Sequence, residues 1–217
     1  MPRSRRPANL EAARSKMYRE LVFECAERVF AEQGYSGTTM NDIAAEAGIS
    51  LKTLYSVYRG KKELYADIRE RRGREFLTWM VQGVAASGGA LAQLERGVRL
   101  YVGFLLDHRD FFRIQIREGR SWGLGPVGDG AGEWQEGLEL QMALLRQGVE
   151  DGVFCDGDLA LLAASGGALV QVLLAGILER EAAAGNENPE LEAIARELEA
   201  PLRRFLLRPE LLVDKAG

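Results

Sequence analysis

An all-α fold is predicted for this chain, with a small N-terminal unit of short helices followed by a larger helical body. Two observations carry that expectation. Beyond the first third of the sequence, apolar residues recur at helical spacing with almost no strand-like alternation. Within the first third, helix start and stop signals crowd so closely between Thr39 and Lys62 that only short helices joined by a tight turn fit between them. A hydrophobic content of 47% over 217 residues is enough to bury a real core in one or two domains.

The first short helix starts at Thr39, whose hydroxyl can accept from a free backbone N–H, with Asp42 three residues on in the place of a capping-box acid. Gly48 supplies the stop by adopting a left-handed conformation, and Ser50 can cap the next helix. Between them Ile43, Ala44 and Ala47 make an apolar face, and the two alanines allow a second helix to come close. A steep crossing over so short a turn is a helix-turn-helix, with its second helix free to enter a major groove. Along that second helix Leu54 and Tyr58, four apart, can pack inward, while Lys52, Thr53, Tyr55 and Ser56 face outward or sideways. Lysine reaches a guanine edge or a phosphate, threonine a base or a thymine methyl, and tyrosine and serine donate to phosphate oxygens. The expected DNA-contacting set is therefore Thr39, Ser50, Lys52, Thr53, Tyr55, Ser56, Tyr58 and Lys61. Lys62 adds charge, and the helix start at Thr39 offers N–H groups to a phosphate.

Upstream, Leu21, Cys25, Ala26 and Phe30 lead to Gln33, Gly34 and Tyr35, a helix that ends in a glycine turn. Together with Tyr55, Tyr58 and Lys61, this stretch resembles the DNA-binding domain of the TetR family of bacterial one-component repressors. In that family a tyrosine follows the turn, an aromatic stands two or three residues on, and a lysine opens the fourth helix. Two positions depart: Tyr58 stands where phenylalanine is common, and Lys52 where a small glycine is common, so a base preference is not inherited. The resemblance implies a helix-turn-helix domain over residues 1–62 with a basic N-terminal arm, and a helical effector-binding and dimerisation domain over residues 63–217. It also implies a cytoplasmic, homodimeric, ligand-responsive transcriptional regulator that represses from a near-palindromic double-stranded operator. Past Tyr65 it rests on helical layout alone.

The remaining helices follow from periodicity. The fourth runs from Lys61 to about Ala85 and is broken by Ser87, Gly88 and Gly89; the fifth spans Ala90 to Asp107 with Leu94, Val98, Tyr101 and Leu105 on one side. A short sixth covers Asp110 to Glu118, a seventh Glu133 to Asp151, an eighth Asp158 to about Ala183, and a ninth Pro189 to Leu207. Residues 119–132 are a glycine-rich loop flanked by Trp122 and Trp134 that could close over a ligand. Its literal G-x-G-x-x-G at Gly123, Gly125 and Gly128 lacks a preceding strand and contains Pro126, which excludes a dinucleotide site.

Bulky residues of the fourth to seventh helices, Trp79, Met80, Tyr101, Phe104, Phe112, Trp134 and Met142, form the expected effector-binding group for a lipophilic or amphipathic small molecule. Arg113 and Arg117 could pair with an acidic headgroup. From Leu159 to Leu178 the chain is uncharged and apolar for twenty residues, about the length that spans a bilayer. Ser165, Gly166, Gly167 and Gln171 interrupt it and no basic cluster flanks it, so a helix buried against a second subunit is the better reading than a membrane tether. Leu159, Ala163, Gly166, Gly167 and Val170, with Leu198, Leu202 and Phe205 of the ninth helix, form the expected dimer interface, a four-helix arrangement that resembles TetR-family dimers.

Charge and composition agree with this division. The net charge is −4, yet residues 1–74 hold fifteen Lys and Arg against ten acids, and the remainder thirteen against twenty-two. Arg3, Arg5 and Arg6 lie in a segment expected to be too short to pack, available to phosphates or a minor groove. No apolar leader follows it. Cys25 and Cys155 are too few for a disulfide framework or a metal site and fit a reducing compartment. His108 is the single histidine and has no partners for a catalytic dyad, so neither catalytic residues nor a cofactor are expected.

Overall fold

A computed structural model describes residues 6–84, 88–117, 132–186 and 188–212. They form α1 (Arg6–Gly37), α2 (Met40–Glu46), α3 (Leu51–Val57), α4 (Lys61–Val84), α5 (Ala90–Asp107), α6 (Arg109–Arg117), α7 (Gly132–Glu150), α8 (Leu159–Ala183), α9 (Leu191–Leu206) and α10 (Pro209–Leu212). The only extended pairing among them is an isolated antiparallel bridge between Phe154 and Leu207. The long helices start and stop within one or two residues of the sequence expectation. The short α10 was not expected, and α1 begins at Arg6, well before Leu21. Arg3, Arg5, Trp122 and the three loop glycines lie outside the described residues, as does the side chain of Trp134.

Two compact units emerge. One holds the described residues up to Arg72 together with α6 from Asp110; the other runs from Gly73 to Arg109 and takes the described residues from Gly132 onward. The expected boundary at residue 62 thus falls ten residues early. Leu64, Tyr65 and Ile68 of α4 are buried with the first helices, which keeps this stretch in the N-terminal unit.

In the first unit α1 supplies Val22, Phe23, Ala26, Val29 and Phe30 to a core completed by Ile43, Ala44, Leu54 and Val57. Gly34, at φ 75°, breaks α1 in a backbone region that other residues rarely adopt. Thr39 and Asp42 form a complete capping box at the start of α2. Gly48, at φ 63°, ends it: Gly48 N donates to Ala45 O at 3.1 Å and Ile49 N to Ala44 O at 3.0 Å, the paired bonds of a Schellman stop. Ser50 Oγ then accepts from Thr53 N and caps α3.

The far end of α3 is fixed by a polar network. Tyr58 OH donates to Asp67 Oδ2 at 2.6 Å; Arg19 donates to Asp67 at 3.3 Å and to Val57 O at 3.1 Å, with its guanidinium 4.3 Å over the Tyr58 ring. Burial opposes the charge on Asp67, but the bonds from Tyr58 and Arg19 and the nearby Arg71 outweigh it and hold the carboxyl below its ordinary range. Burial and the bond to Asp67 push the Tyr58 phenol well above its ordinary range.

The second unit is a helical layer around α5, which contributes Val98, Tyr101, Val102, Phe104 and Leu105 and packs against α7 and α9. α8 lies on α7 and α9 and buries Ala163, Ala164, Val170, Leu174 and Ile177. Between α7 and α8 the chain turns through Phe154, which is 1% exposed, and Cys155 N donates to Leu206 O at 2.8 Å. Gly148 of α7 makes this possible, since a Cβ there would lie 2.0 Å from the Phe154 ring.

Asp67→Asn is expected to destabilise the N-terminal unit at pH 7 by about 1–2 kcal/mol, because it weakens partly solvated bonds to a charged acceptor. A depressed folded-state pKa contributes stability that is complete above the unfolded value, about 3.9, and is lost as pH falls through the folded value. Denaturation of both proteins at pH 7 and pH 3 should therefore show the gap narrowing in acid; an equal gap at both would refute a charge-based role. In the second unit, Gly148→Ala is expected to cost about 1–3 kcal/mol by overpacking against Phe154, read as a lowered midpoint of chemical denaturation.

Candidate nucleic-acid interface

A seven-residue helix, capped by Ser50 and sealed below by the buried Leu54 and Val57, leaves its other face to solvent. On that face Lys52 and Ser56 are exposed, Tyr55 is 50% exposed, and Thr53 is half-buried. Thr53 Oγ1 lies 2.9 Å from Ser50 Oγ, so the two hydroxyls form one polar rim at the start of α3. Leu51, an exposed apolar residue in the same turn, joins this surface. Sequence reasoning passed over it because a leucine at a helix start reads as core. Lys52, Tyr55 and the Ser50–Thr53 rim present a cation, an aromatic hydroxyl and small hydroxyls from one helical turn, a combination suited to phosphates and base edges together.

Three residues of the expected set are placed otherwise. Tyr58 is 1% exposed, caps the C-terminus of α3 and bonds Asp67, so it is a core residue with no surface for a phosphate. Lys61 Nζ donates to Tyr35 O at 2.6 Å and Thr38 O at 2.8 Å and sits 4.4 Å from the Tyr35 ring centroid. It ties the start of α4 to the end of α1 instead of standing free beside a duplex. The Thr39 amide and hydroxyl both donate to Asp42 Oδ2, at 2.8 and 2.6 Å, so these two groups of the N-cap residue are engaged by a carboxylate. Those two bonds, the hydroxyl first, hold Asp42 below the ordinary carboxylate range. Ser56 keeps its place on the exposed face, with its proton donated to Thr53 O at 2.6 Å.

A second site lies within the C-terminal unit. A cavity of about 440 Å³ is enclosed by α4, α5, α7, α8 and the end of α9, a volume in the range of small-molecule sites. Of the expected effector-binding group, Met80 and Tyr101 line it. Trp79 is 45% exposed and donates its indole N–H to Leu100 O, while Phe104 is buried against Phe76 and His108. Met142, on α7, is half-buried outside the lining. Phe112, Arg113 and Arg117 belong to the N-terminal unit through α6. The wall is instead made by Phe76, Leu94, Val98, Leu138, Leu145 and their neighbours, aliphatic positions that periodicity alone cannot separate from solid core.

The expected dimer residues also resolve differently. Ala163, Val170, Leu198 and Leu202 are buried within the protomer, as is Gly166, where a Cβ would meet Leu202 at 3.6 Å and Phe205 at 3.9 Å. Ala163, Gly166, Gly167, Val170 and Leu202 line the cavity. Leu159 and Phe205 are half-buried. The opposite face of α8 is the open one: Leu161 is 65% and Val172 68% exposed, with the half-buried Ser165 and Ala168 between them on the same stripe. α8 is long and apolar enough to cross a membrane by length and composition, with its inward face already covered by the protomer.

Residues 22–68 match the family described as bacterial regulatory proteins, tetR family. Over 135 residues the chain is 27% identical to the HTH-type transcriptional repressor SCO4008 of Streptomyces coelicolor, a match that spans 62% of this chain and 66% of that protein, just under two thirds of its length. Its fold is similar to that of the fatty acid degradation regulator FadR from Bacillus halodurans, with a TM-score of 0.65 at 18% identity over 85% of this chain and 97% of that one. It is similar also to the ketosteroid transcriptional regulator KstR2 of Mycobacterium tuberculosis, with a TM-score of 0.64 at 21% identity over 88% and 95%. The helix-turn-helix between Thr39 and Tyr58 thus lies inside a segment that matches the DNA-binding domain of the tetR family of bacterial regulatory proteins, set in an all-helical chain whose fold is similar to those of known transcriptional regulators.

Proposed function

We propose that the chain acts in the cytoplasm as a homodimeric repressor that leaves a near-palindromic operator when a lipophilic small molecule occupies the C-terminal cavity. The observation that carries this reading is the exposed turn of α3 bearing Lys52, Thr53 and Tyr55 in a protein whose C-terminal unit holds a cavity of about 440 Å³. A related protein being a repressor supports the sign of regulation. Similarity in fold to a fatty acid degradation regulator and a ketosteroid transcriptional regulator is consistent with an apolar ligand. The dimer contact is reassigned to the exposed stripe of α8 from Leu161 through Ser165 and Ala168 to Val172, joined by Ala193 and Ala200 on the outer face of α9. Two such faces, small in their side chains and apolar at both ends, can close a four-helix contact around a two-fold axis. The dimer then presents two copies of α3 to successive faces of the major groove. A ligand needs about 5.5 kcal/mol of preference for the non-binding state to switch the population almost completely.

Selection of bound duplexes from a random pool, followed by binding measurements on variants, tests this function. Tyr55→Ala is expected to remain folded and to lose operator affinity by about 1–3 kcal/mol, whereas Lys52→Ala, where it removes a phosphate contact, lowers the salt slope by about one. Parental affinity in a folded Tyr55→Ala protein would exclude α3 as the reading helix. Val172→Asp places a charge in the middle of the proposed contact and is expected to yield monomers in sedimentation at micromolar concentration, with operator affinity falling in step. A Val172→Asp protein that sediments as the parental dimer would move the interface elsewhere.

A further inference from the structure

We propose that the C-terminal cavity selects an uncharged lipophilic molecule bearing a hydrogen-bond donor, and that Gln141 of α7 is the residue that receives that donor. The assignment rests on the reading of this cavity as the effector site and narrows it to a chemical class. Among the described residues that line the cavity there is no Asp, Glu, Lys, Arg or His; the polar ones are Tyr101 and three glutamines. Gln93 has its amide N–H held by Gly88 O at 2.9 Å and its oxygen is not among the buried atoms that lack a partner, and Gln147 is solvent-exposed. Gln141 differs from both. It is half-buried in the wall, and its Oε1 is shielded from solvent with no hydrogen-bond partner.

An amide oxygen buried without a donor is an unfilled requirement, and the soft rotation of a terminal amide lets it turn toward a molecule in the cavity. A hydroxyl or N–H group on an otherwise apolar ligand fills that requirement at little desolvation cost. A carboxylate cannot. The described lining holds no cation to pair it, and an unpaired charge is the most costly group to bury. A quaternary ammonium head has no N–H or O–H to give Gln141 and meets no carboxylate among the described lining residues. Glycines at 97, 166 and 167 leave the room, and the apolar wall from α4, α5 and α8 supplies the affinity.

Calorimetric titration of the full-length protein with submicellar twelve-carbon probes of flexible shape tests this directly. Expected is 1-dodecanol binding at least tenfold tighter than dodecanoate or dodecyltrimethylammonium at pH 7.5, and tighter than 1-methoxydodecane, which accepts but does not donate. Gln141→Leu should lower dodecanol affinity fivefold or more while leaving the methoxy compound within twofold. Should Gln141→Leu fail to fold, Gln141→Met and the dodecanol-to-methoxydodecane ratio of the parent protein carry the same comparison. Dodecanoate binding as tightly as dodecanol, or equal loss for both neutral probes in the variant, overturns the assignment. If dodecanoate binds and also releases operator, the cavity remains the effector site and only the neutral class is lost; if no probe binds, both fall.

Discussion

Helices of seven residues do not hold their shape alone, so everything that α2 and α3 present to a groove depends on how their ends are tied down. The ties are specific. Each start has a side-chain cap, the turn between them closes through Gly48, and the exit from α3 is held by Tyr58, Asp67 and Arg19 from three separate chain segments. Lys61 completes the frame by bonding two carbonyls at the end of α1. Three residues of the expected DNA-contacting set, Tyr58, Lys61 and Thr39, are thus engaged in fixing α2 and α3. What remains open to solvent on α3 is one turn, bearing Lys52, Tyr55 and Ser56.

That division is chemically sensible. A phosphate contact needs a donor that is free and a helix that does not move when the donor is engaged. Burying Tyr58 against Asp67 and shielding Lys61 under Tyr35 give the second property, and the exposed Lys52 and Tyr55 give the first. The ion pair of Glu27 with Arg72, at 2.7 and 2.9 Å, extends the same frame farther along α1 and α4.

Periodicity and caps made the fold legible. The span Ala90–Asp107 appears residue for residue in the sequence, and Asp158 caps α8 as an acid at a helix start should. Reading which face of a helix points where was harder. A small-residue run such as Ala163, Gly166 and Gly167 suits a subunit contact and an internal void equally well, because both need a helix without bulk. The structure distinguishes them only through Leu202 and Phe205 packing on that side and through Leu161 and Val172 standing open on the other. Likewise, aromatic side chains drew attention as ligand contacts, yet Phe104 and Phe112 fill space, and the cavity forms where aliphatic and glycine positions leave it unfilled. An absence of side-chain volume leaves no mark in hydropathy.

α8 consequently has two faces with different duties. The inward face, through Ala163, Gly166 and Val170, is wall to the cavity; the outward face, through Leu161 and Val172, is the proposed contact with a second copy. Packed helices shift as units, since a dense core does not deform residue by residue. On the proposed reading, a ligand that presses on the inner wall would change the free energy of the outer contact, and linkage would then require the dimer to change the ligand's affinity by the same factor. α4 contributes Leu64 and Ile68 to the core of the first unit and, in the second unit, Phe76 and Met80 to the cavity wall. With no charge among the described residues of that wall, a ligand of the proposed class would act through volume and one hydrogen bond. The proposed switch would then answer to how well a molecule fills the space beside Gly97, Gly137, Gly166 and Gly167.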